Sequence, residues 1–421
     1  MLIQDKSQIR GLVALKIFLL FAFAYFLSYA FRSINAVIAP ELVNDLAISN
    51  TQLGLLSSAY FIGFACMQIP LGLAMDRYGS RRTESILLIF ALLGAITFAF
   101  AEDLYGLMLG RLFIGVGVSA CLMAAFTAYR RWFKLEQQGQ LASGMLVFGT
   151  LGALLTTVPV QISLPVIGWR GVFVVMAVLV FIAMLGIRFG LPRFDDHPKH
   201  NQGEHAEASM SLWQIVRHPF FIRMLPLGVI NHGGFMALQT LWIGPWFIYV
   251  SGFDPKQSAQ ILFLFNAAML CAYAFNAWLI PKINLKGVHT ILYVKWALML
   301  SLVLQFFAIT STSTHAWIFW VAMAAASTTH ILGQSTVSTA FPKQNAGVAS
   351  TSYNLIIFIG AFFVQWLIGV GLDISTNLEQ TKADAFRQVF FVFFVMQLAA
   401  YLWFYFYPKP LKKNFQIHES L

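Results

Sequence analysis

Arg32 lies inside a long apolar run, in the segment SYAFRSINAV from Ser28 to Val37. A charged side chain at the centre of a membrane helix costs about 2.5–3.5 kcal/mol on insertion scales, so the charge needs a reason to be there. Tyr25, Tyr29 and Arg32 follow at i, i+4 and i+7 and therefore share one helix face. Arginine suits carboxylate and phosphate because its planar guanidinium donates two parallel hydrogen bonds. Residue type and spacing predict that this face binds an anion.

Arg111, His232 and His330 are further ionisable residues inside apolar runs. All 17 acidic residues fall, by sequence, in loops, tails or at the ends of such runs, so none is expected in mid-membrane. An ionisable group inside a membrane normally pairs with another or faces a water-filled path. The missing anion is most simply a bound ligand. Histidine is the remaining group in these runs that titrates near neutral pH, so it is the candidate to carry a proton.

Aromatic and amide side chains on the same helix faces suit the rest of an organic ligand. The predicted substrate-binding set is Tyr25, Tyr29, Arg32, Arg111, His232, Gln239, Trp242, His330, Gln334 and Asn354. Within it, His232 and His330 are also the predicted coupling residues. A purely structural role stays open for each of these residues. Arg111 can stabilise the fold without binding substrate, and a single histidine in a membrane helix often bonds only a backbone carbonyl. The aromatic residues can belong to ordinary helix packing. Gly244-Pro245 predicts a break in the helix that carries Trp242.

Composition indicates which elements must position these residues. The chain has 421 residues, of which 59% are hydrophobic and only 10% charged, whereas a soluble domain is about one quarter charged. A bilayer-spanning helix needs about 20 apolar residues. Twelve runs are predicted to span, at 16–39, 52–75, 84–101, 105–129, 139–163, 169–191, 220–249, 257–281, 290–311, 315–340, 347–372 and 388–408.

The basic residues orient these runs. Twenty of the 27 lysines and arginines fall on the side of the N-terminus and four on the opposite side, which predicts that both termini are cytoplasmic. The same spread over many loops argues against a nucleic-acid partner. The lipid bilayer is therefore the expected surroundings, and short loops without glycosylation sequons favour a bacterial inner membrane.

The two halves of the chain resemble each other. WFKLEQQGQLASGMLVFGTLGALL and AFPKQNAGVASTSYNLIIFIGAFF match in register at an offset of about 207 residues. This repeat predicts an N-terminal six-helix bundle at 1–191 and a C-terminal one at 220–408. Between them, 192–219 is predicted to be a cytoplasmic linker with a short interfacial helix around Leu212 to Val216, and 409–421 a cytoplasmic tail. Two such repeats are typical of a transporter with its site at the repeat interface.

The stretch GLAMDRYGSRR, from Gly72 to Arg82, resembles the signature loop of the major facilitator superfamily, G-x-x-x-D-R-x-G-R-R. GRLFIGVGVS and GWRGVF are similar to the starts of helices 4 and 6 in that family. The resemblance implies the major facilitator fold, with helices 1, 4, 7 and 10 around a central cavity. It also implies a cytoplasmic gate in which an acid faces the start of helix 11, here near Gly347. The matching gate residues are Asp76, Arg77, Arg81, Arg130 and Arg131.

Two departures from family patterns narrow the function. Span 5 lacks the Gly-Pro-x-x-Gly-Gly element of drug/proton antiporters. The proton-carrying acids of some anion/cation symporters, the type this chain most resembles, are replaced by Phe31 and Val118. Coupling to a proton or another ion, exchange and uniport therefore stay open.

The sequence as a whole predicts a monomeric secondary transporter that moves a small organic anion by alternating access. Carboxylates, amino acids, phosphate esters and carboxylate siderophores are the candidate substrates. A sensor or receptor on the same fold, or an efflux permease for an amphipathic compound, is the alternative. No metal site and no cofactor are predicted. An enzyme is not predicted either, because the sequence shows no nucleophile–base pair or phosphate-binding loop.

Overall fold

The structure is a computed structural model that describes residues 11–192, 210–285, 289–378 and 380–407. Within these ranges the chain is helical and contains no strand. Nine helices in them are long and apolar enough to cross a membrane. An all-helical membrane protein is thereby confirmed, whereas the number of twelve spans and the side of the termini stay predictions. Most of the predicted linker and the predicted tail at 409–421 lie outside the described residues.

The described chain forms two units. Residues 11–48 and 55–192 make up the first unit, and residues 49–54, 210–285, 289–378 and 380–407 make up the second. In the first unit α1 packs on α5, α6 and α7. Its helices are α1 (Gly11–Ser33), α2 (Asn35–Leu46), α3 (Asn50–Phe100), α4 (Leu104–Val118), α5 (Cys121–Trp132), α6 (Leu135–Leu155) and α7 (Val158–Leu185), the last followed by a π-helical turn at Gly186–Gly190.

Helix α3 is two helical arms joined at Gly79. Its 51 residues are too many for one bilayer crossing, since a helix rises about 1.5 Å per residue. Gly79 has φ 77° and ψ 164°, a conformation that glycine adopts without steric cost. The hydroxyl of Thr83 donates to the carbonyl of Ala74 at 3.1 Å and so closes the bend. The signature stretch is therefore a tight hairpin, and the second and third predicted spans lie one on each arm.

The second unit has shorter helices at its start. Ser211 caps α8, because its hydroxyl accepts from the backbone N–H of Gln214 while the Gln214 side chain accepts from the Ser211 N–H. The α-helices are α8 (Leu212–Val216), α9 (Pro219–Pro226), α10 (Gly233–Ala237), α11 (Ile243–Tyr249), α12 (Pro255–Leu285), α13 (Thr290–Thr310), α14 (Trp317–Ser327), α15 (His330–Thr339), α16 (Lys343–Asn377) and α17 (Lys382–Phe406).

Two π-helical turns interrupt the run from α9 to α11, at Leu227–His232 and Leu238–Trp242. The predicted break at Gly244-Pro245 is found a few residues earlier, at the second π turn, and Pro245 itself lies inside α11. Proline has no N–H to donate to the preceding turn, and the wider turn just before α11 accommodates that loss. Such wide turns are frequent at functional sites, since they re-aim the side chains that they carry.

The first turn of α3 belongs to the second unit, where it meets the end of α16. Asp373 accepts hydrogen bonds from the backbone N–H of Asn50 at 3.1 Å, from the Asn50 side-chain amide at 2.8 Å and from the backbone N–H of Thr51 at 2.8 Å. The backbone of Asn50 passes so close to Gly369 that a Cβ there would collide with it. A carboxylate on free N–H groups at a helix start is favourable both as a cap and for the helix dipole.

We expect Asp373→Ala to destabilise the purified protein by about 1–2 kcal/mol, because the first N–H groups of α3 lose their acceptor. Asp373→Asn should cost less, since its single carbonyl oxygen still accepts. Thermal unfolding in detergent measures both. The control is Asp384→Asn, an exposed acid whose bonds within the described residues are to Thr381 of its own helix start. Equal melting temperatures for Asp373→Ala and wild type would show that this cap contributes nothing.

Candidate functional site

Arg32 lies in the last turn of α1, where its guanidinium carbon is 3.9 Å from the centroid of the Tyr29 ring. The rings of Tyr25 and Tyr29 meet edge to face at 5.0 Å. Tyr25 is buried, whereas Tyr29 and Arg32 are partly exposed. The structure thus brings the three residues of the predicted helix face into one contiguous cluster.

No carboxylate in the described ranges lies within ion-pair distance of Arg32. The groups that face its charge are the phenols of Tyr25, Tyr29 and Tyr60, and Tyr60 reaches it from α3. A cation–π contact is worth about 0.5–2 kcal/mol, which is less than the cost of about 2.5–3.5 kcal/mol for placing arginine at mid-membrane. The ring contact alone therefore does not account for Arg32.

Arg111 has very different surroundings. It is completely buried, with 0% of its surface exposed. Its Nη1 donates to the carbonyl of Phe31 at 2.8 Å, and its guanidinium lies 4.7 Å from the ring centroid of Phe98 and 5.0 Å from that of Phe173. These contacts join α1, α3, α4 and α7, and they support the structural alternative for Arg111. Because Phe31 precedes Arg32, the bond also fixes the backbone that carries Arg32.

His232 and His330 are neighbours in the second unit. Their rings stack with 5.1 Å between centroids and an interplanar angle of 10°. Phe235 lies 5.8 Å from His330 and extends the stack. His330 is buried at the start of α15, whereas His232 ends the first π turn and is partly exposed. Two imidazolium ions at this distance would repel, so the pair can hold one proton more readily than two.

Gln334 and Asn354 form the second polar pair of this unit. The amide nitrogen of Gln334 on α15 donates to Oδ1 of Asn354 on α16 at 3.3 Å. Both side chains are partly exposed. An amide group has both donors and acceptors, so side chains of this type suit polar ligand groups.

Gln239 and Trp242 are buried in the second π turn and bonded inside the unit. Gln239 donates to Oδ1 of Asn266 at 3.0 Å, and the indole N–H of Trp242 donates to the carbonyl of Gln365 at 2.9 Å. Trp242 has 0% of its surface exposed. These contacts are those of residues that pack inside the unit, which is the alternative that the sequence left open. A role of Gln239 and Trp242 in binding substrate stays a prediction.

The predicted gate residues lie around the α3 hairpin. Asp76 is 3.9 Å from Arg131, and the two side chains are 83% and 33% exposed. Such exposed pairs contribute about 0–1 kcal/mol. Arg81 is buried and donates to the carbonyl of Arg188 at 3.3 Å, whereas Arg77 and Arg130 are exposed. The predicted contact of Asp76 with the backbone near Gly347 stays a prediction.

Glu84 is a buried acid at the start of a predicted span, and it is not one of the functional residues predicted from the sequence. It lies on the second arm of α3 with 0% of its surface exposed. By sequence it stood at the edge of a predicted span, where an acid is unremarkable. Helical periodicity could have predicted this burial. Glu84 begins a buried stripe that continues through Leu88, Ala91, Ala95 and Phe98.

The model of the Major Facilitator Superfamily matches residues 21–365. The chain belongs to the major facilitator superfamily. The probable sulfoacetate transporter SauU of Cupriavidus necator is 25% identical over 263 residues, which are 59% of each chain. The probable L-galactonate transporter of Escherichia coli is 24% identical over 297 residues, 66% of this chain and 65% of the relative. The chain therefore spans less than two thirds of the length of these curated relatives.

Among solved structures, a bacterial homologue of the human lysosomal transporter Spinster superposes with a TM-score of 0.74 over 92% of this chain and 95% of that one. Its sequence identity is 17%, so it shows the fold alone. Fold and relatives agree on a multi-pass membrane protein of a transporter superfamily, which is not an enzyme family.

Substitution by lysine keeps the positive charge but removes the planar guanidinium, and we expect it to affect Arg111 and Arg32 differently. Arg111→Lys loses the planar group that contacts both rings and also donates to the Phe31 carbonyl, so we expect a loss of about 1–3 kcal/mol of stability and a lower melting temperature. Ligand affinity per folded molecule should stay close to wild type. Thermal unfolding and ligand titration on one purified sample measure both. A variant that melts normally but binds weakly would assign Arg111 to the ligand instead.

Proposed function

We propose that this protein is a secondary active transporter that moves a small organic anion across a bacterial inner membrane by alternating access, with both termini in the cytoplasm. The observation that carries the proposal is Arg32, a partly exposed cation in α1 that no carboxylate of the described chain compensates. Sulfoacetate and L-galactonate, after which two relatives are named, are both carboxylates. A carboxylate substrate supplies the charge that Arg32 lacks.

The geometry of Arg32 suits such a ligand. The Tyr29 ring covers one face of the guanidinium, and the N–H donors lie in the guanidinium plane, so stacking leaves them available. Stacking also restricts the side chain before the ligand arrives, which lowers the entropy lost on binding. Each charge-assisted hydrogen bond to a carboxylate then contributes about 1.5–3 kcal/mol.

Gln334 and Asn354 are the proposed polar substrate-binding residues of the second unit. Both side chains are partly exposed, and an amide can donate and accept hydrogen bonds, which suits the hydroxyl, sulfonate or carboxylate oxygens of an organic anion.

The stacked pair of His232 and His330 is the proposed coupling element of the second unit. Histidine changes charge near neutral pH, and the two rings at 5.1 Å share one proton more readily than two. A single proton taken up by this pair would move with each transport cycle.

Arg32 variants test the anion site. Arg32→Ala should raise the dissociation constant of a carboxylate ligand by at least about tenfold, and Arg32→Lys by less, because lysine keeps the charge but loses the planar fork. The unliganded Ala variant should be no less stable, since the change removes a membrane-inserted charge. Binding is measured by thermal shift and calorimetry with galactonate, sulfoacetate and nitrate, and with neutral galactose as the ligand control.

The matched protein control is Arg217→Ala, an exposed arginine that also stands over an aromatic ring, that of Trp213. It should bind like wild type. An Arg32→Ala protein that melts early yet binds normally per folded molecule would make Arg32 a structural residue and remove the main support for an anion. Binding of galactonate without uptake into proteoliposomes would instead favour the receptor alternative.

His330→Gln and His232→Gln test the coupling pair. Each should abolish the pH dependence of uptake while ligand affinity at a fixed pH survives, because glutamine keeps hydrogen bonding but cannot carry a proton. Uptake driven by an imposed pH gradient in proteoliposomes is the measurement. His315→Gln, an exposed histidine of a loop, is the control. Concentrative, pH-dependent uptake by both variants would show that these histidines do not couple transport.

A further inference from the structure

Glu84 is a carboxylic acid inside the first helix unit, and no cation of the described residues forms an ion pair with it. Its side chain has 0% exposure, and neither carboxyl oxygen has a hydrogen-bond partner of good geometry in the described chain. Arg81, three residues earlier on the same arm, instead donates to the carbonyl of Arg188 at 3.3 Å. An isolated carboxylate pays a large desolvation penalty in such a place, so it takes up a proton instead.

The groups that face Glu84 are themselves neutral. The thiol of Cys121 and the phenol of Tyr129, both on α5, are the titratable groups set against it. Cys121 is completely buried, and the Tyr129 hydroxyl lies 3.3 Å from the sulfur of Met145 on α6. A thiol and a phenol keep their protons near neutral pH, so they are neutral neighbours that do not balance the charge of a carboxylate.

We propose that Glu84 is a proton-binding site in the first unit, occupied in the packing seen here and released when the bundle around it opens to water. The site is chemically separate from the cation of Arg32 and from the histidine pair of the second unit. As a coupling site it rests on the proposed transport function, whereas its occupancy by a proton does not.

The position of Glu84 links its charge to the α3 hairpin. It lies five residues after Gly79, where the chain turns, and one residue after Thr83, whose hydroxyl closes the bend on Ala74. Loss of the proton would place an uncompensated charge between α3 and α5 and favour any conformation in which water reaches it. A proton bound at Glu84 therefore stabilises the packing described here against such a conformation.

Infrared spectroscopy of the purified protein tests the occupancy of the site directly. At neutral pH a protonated carboxyl gives a carbonyl band that shifts in D2O, and this band should be present in wild type and absent from Glu84→Gln. Glu102→Gln, which changes an exposed acid, should retain it. A wild-type spectrum without the band would overturn the proposal, and this measurement does not depend on how any variant folds.

Melting temperature against pH gives a second, independent readout. An unfolded glutamate ionises near its ordinary pKa of about 4.3, whereas the folded chain must bury the charge. Wild type should therefore lose stability relative to Glu84→Gln as the pH rises from mildly acidic to mildly alkaline, and the two should converge in acid. Parallel curves over the whole range would show that Glu84 does not titrate.

Proteoliposome assays test the coupling role. Glu84→Gln is fixed in the neutral form, so it should retain anion exchange but lose accumulation driven by a pH gradient. Full gradient-driven accumulation by this variant would overturn the coupling role of Glu84. A wild-type protein that exchanges no anion would overturn the proposed function instead, with the infrared result still standing, so the two failures are distinguishable.

Discussion

The cost of an uncompensated charge in an apolar interior organises the polar groups of this protein. Three ionisable side chains of the first unit meet that cost in three ways. Arg111 stays charged beside the Phe98 and Phe173 rings and bonds a backbone carbonyl. Glu84 has neither a cation nor a good hydrogen-bond partner in the described chain, and a proton neutralises it. Arg32 keeps part of its surface exposed. The burial of a charged side chain and its hydrogen-bond partners, taken together, distinguish a structural residue from a candidate ligand-binding residue.

These residues are also mechanically connected. Arg111 binds the carbonyl of Phe31, and the next residue is Arg32, so a completely buried arginine fixes the backbone beneath a partly exposed one. Tyr60, which faces the charge of Arg32, donates to the carbonyl of Ser28 on the same helix. Residues that do not bind ligand thus define where the ligand-binding cation lies, which is the support that a precise site requires.

Much of this arrangement could be predicted from periodicity, and the rest could not. The face of Tyr25, Tyr29 and Arg32 follows from helical spacing, because neighbours on one helix are fixed by 3.6 residues per turn. Whether an aromatic residue packs or binds is decided by other helices, so the internal bond of Trp242 could not be foreseen. Glu84 was missed because its burial depends on α5, although its place at the head of a buried stripe was visible in the sequence.

Placing anion and proton on different residues has a consequence for how they can be coupled. When one carboxylate serves both a cation and a proton, competition for the same atoms links the two ligands directly. Here the proposed proton sites, Glu84 and the stacked histidines, lie on helices other than α1, which carries Arg32. The coupling free energy must then be carried by conformations that both ligands bias. Glu84 is placed for this role, because its arm begins at the Gly79 hairpin and its packing partner α5 also packs on α1.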